Sequence, residues 1–306
     1  MNTTPTDDSG KRDYSSIGPS ARQLLLLKGY TDIPFARQAA ELMLQPKKYV
    51  AELDKMDFPF KARLMHFESR YRSIDQLLEG IQAKNILELS SGFSFRGLDL
   101  VGRKEVHYID TDLPEIIDIK MKFIEALTPN ISAGSRGGDP AGTVPQGKLA
   151  TIALNALDEQ QFYETVQLFP PGELAILTEG LLMYLGIEEK KKLCAIIHRV
   201  LKERGGYWIV ADIYVRKDID QQHVMVNDSL RGFYEAHNIE ENKFESFEAA
   251  ERFFKDNGLV IDNVAGGDYS NLGGLQSYLS GASAAQVDII KNAAQIRATW
   301  RLKVAG

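Results

Sequence analysis

The sequence predicts an α/β fold with a doubly wound, Rossmann-like parallel sheet. Two observations carry that prediction. First, the segment NILELSSGFSFRGLDL (85–100) holds an apolar run at 86–89 that can be buried on both faces, as an interior parallel strand requires. The run breaks at Ser90-Ser91-Gly92, where small side chains let backbone approach a ligand. Second, HYIDTDLPEIIDIK (107–120) follows, with a short strand at 106–109 that delivers Asp110 and Asp112 to its carboxyl end. Glu88 and Asp110 are 22 residues apart, close to the roughly 20 expected when an acid binds a nucleotide ribose in such a sheet.

The other elements follow in order. The first 18 residues, beginning MNTTPTDDSGKRDYSS, read as a flexible polar tail without the hydrophobic region of a secretory signal. Residues 19–80 read as a helical cap. PSARQLLLLKGY has Pro19 near a helix start, IPFARQAAELML continues at helical spacing, and Leu64, Phe67, Tyr71, Ile74 and Leu78 mark an amphipathic helix. From 81 to 306 strands are expected near 85–89, 106–110, 149–154, 173–178 and 207–214, with helices between them. The connection 129–148 holds five glycines and three prolines and reads as a long surface loop. IEEKKKLCAIIHRVLKERGG is a helix closed by Gly205-Gly206, and Ser246 is the expected N-cap of another that Gly258 stops. A sixth strand follows Gly258, and IRATWRLKV supplies a seventh.

Composition narrows the function classes. Hydrophobic content of 44% and charged content of 25% in 306 residues are ordinary for a globular protein with a sizeable core. A net charge of −6 argues against a nucleic-acid partner, since no basic stripe is present to release counterions. No apolar run approaches the ~18 residues of a membrane span. The single cysteine, Cys194, lies on an apolar helix stripe and fits a reducing cytoplasm. His66, His107 and His198 show no metal-ligand spacing, so no metal is expected.

What the glycine loop lacks points to the cofactor. A nicotinamide site usually carries G-x-G-x-x-G to make room for a pyrophosphate. Here the matching stretch, 90–95, has one glycine and then two bulky aromatics. S-adenosylmethionine (SAM) fits better, because it offers a ribose, an adenine and a zwitterionic tail without phosphates. An NAD(P)-dependent oxidoreductase and a non-catalytic binder of SAM or S-adenosylhomocysteine (SAH) remain as alternatives. A hydrolase is disfavoured, since Ser90, Ser91 and Ser94 do not form G-x-S-x-G.

Four segments resemble the leucine carboxyl methyltransferase family of class I SAM-dependent O-methyltransferases. ESRYRSIDQLL (68–78) resembles its Ala-Arg-Thr-Arg segment, ILELSSGFSFRGLDL its E-L-G-x-G loop, YIDTDLPEII its acidic strand end, and TEGLLMYL (178–185) its Glu-Gly-Leu-Leu-Met-Tyr-Leu signature. A weaker match lies in KGYTDIPFARQAAEL (28–42). The resemblance implies a seven-stranded sheet whose last strand is antiparallel. It implies that Arg70 grips the methionine carboxylate of SAM, that Asp112 binds the ribose with its neighbour Asp110 as the alternative acid, and that Gly92 and Glu88 belong to the cofactor loop. It also implies that Glu179 lies near the methionine portion and Asn155 near the adenine. Ser90 replaces the first glycine of the loop. Arg22 falls where a basic residue lies near the carboxylate or the acceptor, and Tyr184 is expected to line the acceptor pocket.

The reaction implied is methyl transfer to a carboxyl or hydroxyl oxygen of a small molecule, with a protein C-terminal carboxylate as the less favoured acceptor. A carboxylate needs no base; a hydroxyl does. No catalytic residue is firm. His223 and His237 are the candidate bases, in a segment (215–245) expected to act as a substrate lid.

Overall fold

The computed structural model describes residues 18–128, 146–216, 237–266, 269, 272–292 and 295–306. Seven strands form one sheet in the order β3-β2-β1-β4-β5-β7-β6. They are β1 (Asn85–Leu89), β2 (His107–Asp112), β3 (Lys148–Ala153), β4 (Leu174–Thr178), β5 (Gly206–Tyr214), β6 (Leu259–Val264) and β7 (Arg297–Val304). β1 pairs in parallel with β2 and β4, whereas β7 runs antiparallel between β5 and β6. The order reverses between β1 and β4, and that switch point is where a doubly wound sheet opens a crevice at its carboxyl edge.

β1 and β4 are buried along their full length, their apolar residues on both faces of the sheet, and β1 carries Asn85 and Glu88 into the interior with them. Alternate residues of β1 feed two cores. Leu87 and Leu89 join Phe162, Ile197, Trp208 and Phe254 on one face. Ile86 joins Ile74, Leu77, Leu100 and Tyr108 on the other. Each fully buried leucine or isoleucine contributes about 1.5–3 kcal/mol by leaving water, so these two layers hold the sheet between its helices.

Helices α1 (Gly18–Lys28), α2 (Ala36–Leu44) and α3 (Phe58–Glu79) precede the sheet. Asp57 caps α3 by accepting the Phe60 backbone N–H at 2.8 Å, and Pro59 in the first turn presets its backbone. The buried face of α3 carries Arg70, Tyr71, Ile74 and Leu77 onto the sheet. α4 (Arg96–Arg103) and α5 (Pro114–Leu127) follow β1 and β2. Gly97 lets α4 close onto the sheet, since a Cβ there would lie 2.6 Å from the Tyr108 ring. α6 (Glu159–Val166) and α7 (Ile187–Arg204) lie between β3 and β4 and between β4 and β5. α7 ends at Gly205 in a left-handed conformation, φ 73°. α8 (Ile239–Asn242) and α9 (Phe247–Asp256) precede β6, with Ser246 capping α9 through the Ala249 N–H at 3.1 Å. α10 (Leu275–Leu279) and α11 (Ala284–Asn292) lead to β7.

Candidate functional site

A cleft of about 1160 Å³, counted out to its open mouth, lies at the carboxyl ends of β1 to β4 under α1. Each strand contributes the residues that follow it. The turn after β1 gives Ser90, Ser91, Gly92 and Phe93, the end of β2 gives Asp112 and Ile116, the segment after β3 gives Leu154 to Leu157, and that after β4 gives Glu179, Gly180 and Tyr184. α1 closes the other side with Ser20, Leu24 and Lys28.

At one end the β1 turn is tied to β2. Gly92 N–H donates to Asp112 Oδ2 at 2.6 Å, and Leu113 N–H donates to Oδ1 at 2.7 Å. Burial raises the Asp112 pKa, although these two N–H donors pull it back. The carboxylate keeps lone pairs for further donors. Both Ser90 (φ 50°) and Gly92 (φ 51°) are left-handed, a conformation that suits glycine and burdens serine.

At the other end three cations converge on Glu179. Lys28 Nζ lies 2.7 Å from Oε1, Arg70 contacts Oε1 through NH2 at 3.1 Å, and Arg96 reaches Oε2 at 3.4 Å. Burial alone would raise the Glu179 carboxyl; the charges of Lys28, Arg70 and Arg96 overcome it and hold the group well below its usual range. Burial lowers Lys28, and Glu179 resists that drift. Arg96 also pairs with Asp75 and lies 3.7 Å from the Tyr71 ring centroid. Arg70 NH1 donates to the Tyr214 hydroxyl at 3.3 Å, and that hydroxyl is 2.8 Å from His66 Nε2. Burial, then the Arg297 and Arg70 charges, lower the His66 pKa well below its ordinary value, so the ring is neutral and pairs with the Tyr214 hydroxyl through Nε2.

The sequence-picked residues divide by position. Ser90, Gly92, Asp112, Asn155, Glu179 and Tyr184 line the cleft. Arg70 sits just behind it, where a Cβ on Gly180 would meet its NH2 at 3.5 Å. Glu88 lies beneath, accepting from the Tyr108 hydroxyl at 2.6 Å, and burial, then the Asp110 charge, push its carboxyl up to about 7. Asp110 is also below the cleft, in an ion pair with Lys120 at 2.8 Å. Arg22 is exposed on α1, with its guanidinium 3.5 Å from the Met43 carbonyl. His237 stacks edge-on with Tyr184 at 6.2 Å, whereas His223 lies outside the described residues.

Sequence reading missed Lys28, Arg96 and Asp212. Lys28 follows four leucines and shares the cleft face of α1 with Leu24, so a lone cation on an apolar stripe was the available signal. Asp212 Oδ2 accepts the Leu182 N–H at 2.5 Å and thereby fixes the 3₁₀ turn Leu182–Tyr184 to β5. Among the described residues no group of three or more His, Cys, Asp or Glu could hold a metal, and no helix is long and apolar enough to cross a membrane.

No family model matches the chain, and no curated protein does. Several solved structures are similar to it at a distance. A LepI variant in complex with SAH and a substrate analogue is 9% identical, with a TM-score of 0.42 over 73% of this chain and 43% of that one. OxaC in complex with SAH and oxaline is 9% identical, at 0.44 over 84% of this chain and 49% of that one. Magnesium protoporphyrin IX methyltransferase from Synechocystis, with bound SAH, is 7% identical, at 0.44 over 92% and 99%. The chain thus spans less than half the length of the first two. Likeness this distant assigns neither ligand nor chemistry to this chain.

Proposed function

We propose that this protein is a SAM-dependent O-methyltransferase whose acceptor is a carboxyl or hydroxyl oxygen of a small molecule. One observation carries the reading: a single cleft at the sheet's switch point has a buried carboxylate, Asp112, at one end and an opposed-charge pair, Lys28 with Glu179, at the other. SAM has a matching polarity. Its ribose hydroxyls would donate to Asp112, and Leu154, Ala156 and Ile116 offer apolar surface to the adenine, with Asn155 at its edge. Its tail needs a cation for the carboxylate and an anion for the ammonium, which Lys28, Arg70 and Glu179 supply. The contact between Arg70 and Glu179 also supports the resemblance to the leucine carboxyl methyltransferase family, because both roles come from separate matching segments.

When bound, SAM supplies a methyl group activated by its sulfonium. The chain's own contribution is alignment: holding acceptor oxygen and methyl about 3–3.5 Å apart and in line is worth roughly 7–11 kcal/mol of the barrier. Tyr184 and Ser20, whose hydroxyls are 3.4 Å apart, would orient the acceptor on the α1 side. A carboxylate acceptor would already be ionised; a hydroxyl would draw on a base such as His237, beside Tyr184.

Calorimetry tests the cofactor. Wild type is expected to bind SAM and SAH but not NAD. Arg70→Ala and Asp112→Ala should each weaken SAM at least tenfold, about 1.4 kcal/mol. Absence of SAM binding, or wild-type affinity in both variants, overturns the assignment. Turnover of SAM with panels of carboxylic acids and phenols would then identify the acceptor class.

A further inference from the structure

We propose that Lys120, a residue outside the cleft, is the positioning residue that sets the 90–92 turn for ligand binding. Its side chain is fully buried on α5, yet it reaches the cleft indirectly. Lys120 Nζ lies 2.8 Å from Asp110 Oδ1 and donates to Ser91 Oγ, also at 2.8 Å. Ser91 lines the cleft; Lys120 and Asp110 do not.

A buried ammonium is retained only where its charge is compensated and its protons are used. Asp110 supplies the compensation and Ser91 Oγ accepts a hydrogen bond from the ammonium. The consequence is a three-point link between β2, α5 and the turn after β1. That turn has few other holds. Within it the Ser91 carbonyl accepts the Ser94 N–H at 2.9 Å. Outward, Ser91 N–H donates to the Thr111 carbonyl at 2.9 Å, and Gly92 N–H donates to Asp112. Both come from the same strand end that carries Asp110. With Ser90 and Gly92 both left-handed, the turn has no regular ladder to keep its shape. Lys120 is the one side chain from α5 that fixes the Ser91 side chain, and so the direction in which the neighbouring N–H groups point.

The expected effect on cofactor affinity rests on the SAM reading above, so the test carries one readout that does not. Lys120→Met is combined with Asp110→Asn, which avoids leaving a lone buried carboxylate. In the ligand-free protein, amide exchange at Ser91 and Gly92 should quicken at least tenfold while β1 and β4 amides keep their wild-type rates. SAM affinity should fall at least fivefold, with KM raised and kcat at saturating SAM within twofold of wild type. Adding Ser91→Ala to the double variant should cause little further loss, because the same bond is already gone. Ser91→Thr in the wild-type background, which keeps the hydroxyl, should retain affinity. Unchanged exchange at Ser91 and Gly92, or faster exchange spread over the whole sheet, would overturn the proposal and leave Lys120 as support for the fold alone. If wild type ignores SAM, the function reading fails, and the exchange rates still decide the role of Lys120.

Discussion

Ser90 and Gly92 adopt nearly the same left-handed backbone, at φ 50° and 51°. The left-handed region costs a residue with a Cβ roughly 1–2 kcal/mol, and glycine loses about 0.4–1 kcal/mol of that advantage through its freer unfolded chain. Ser90→Gly should therefore stabilise the protein by up to about 1 kcal/mol. Gly92→Ala should destabilise it by a similar amount. Space does not decide the second case, because an added Cβ would lie 3.8 Å from the Ala21 methyl, an ordinary contact. Urea midpoints of the two variants against wild type check this pair. Destabilisation by Ser90→Gly would mean that the serine hydroxyl contributes more than the backbone strain removes. Stabilisation by Ser90→Gly would show that glycine is the easier choice at this left-handed position.

At the scale of elements, the sheet was legible wherever burial leaves a local imprint. β1 and β4 are fully buried and appear as mostly apolar runs, and β7 as apolar residues at 298, 300, 302 and 304 alternating with polar ones. β2 extends to Asp112, further than its apolar part suggests, because Asp110 is neutralised from α5 by a lysine ten positions on. That pairing is tertiary. In sequence Lys120 looks like any helix-surface lysine, as Lys28 and Arg96 look like ordinary cations. Their convergence on Glu179 and Asp110 exists only once α1, α3, α4 and α5 are packed. The cap of α3 is equally hard to see in the sequence, since Asp57-Phe58-Pro59 falls between two weak signals. Asp57→Ala should cost about 1 kcal/mol by leaving the Phe60 N–H to water. SAM affinity should be unchanged, because Asp57 opens the helix far from Arg70. A loss of affinity together with unchanged stability would show that the start of α3 communicates with the cleft.

Over the whole molecule, the carboxyl edge of the sheet gathers a buried layer of charge in which neighbouring carboxyl groups respond to pH in opposite directions. Glu179 is held below its ordinary range, so its contribution to stability is fully present above about pH 4.5 and is lost only as pH falls below it. Glu88 is the reverse case: burial, then the Asp110 charge, raise it to about 7. The folded protein keeps a proton there that the unfolded chain releases from about pH 4.5 upward. Its contribution is therefore complete below that value and declines as pH rises to 7. Asp75, Asp112 and Asp212 are raised by burial and share this direction, whereas His66, lowered by burial, opposes it. The wild-type slope mixes all of these, so the informative quantity is the difference between wild type and Glu88→Gln. Glutamine imitates the protonated carboxyl at every pH. The variant should gain on wild type as pH rises from 5 to 8, by roughly 3 kcal/mol at most. The corresponding difference for Glu179→Gln should stay flat over the same range. Urea unfolding of the three proteins at four or five pH values measures both differences. A Glu88→Gln difference that does not change with pH would mean that Arg96 and Lys120 keep Glu88 ionised throughout, and that the layer beneath the cleft carries a fixed charge.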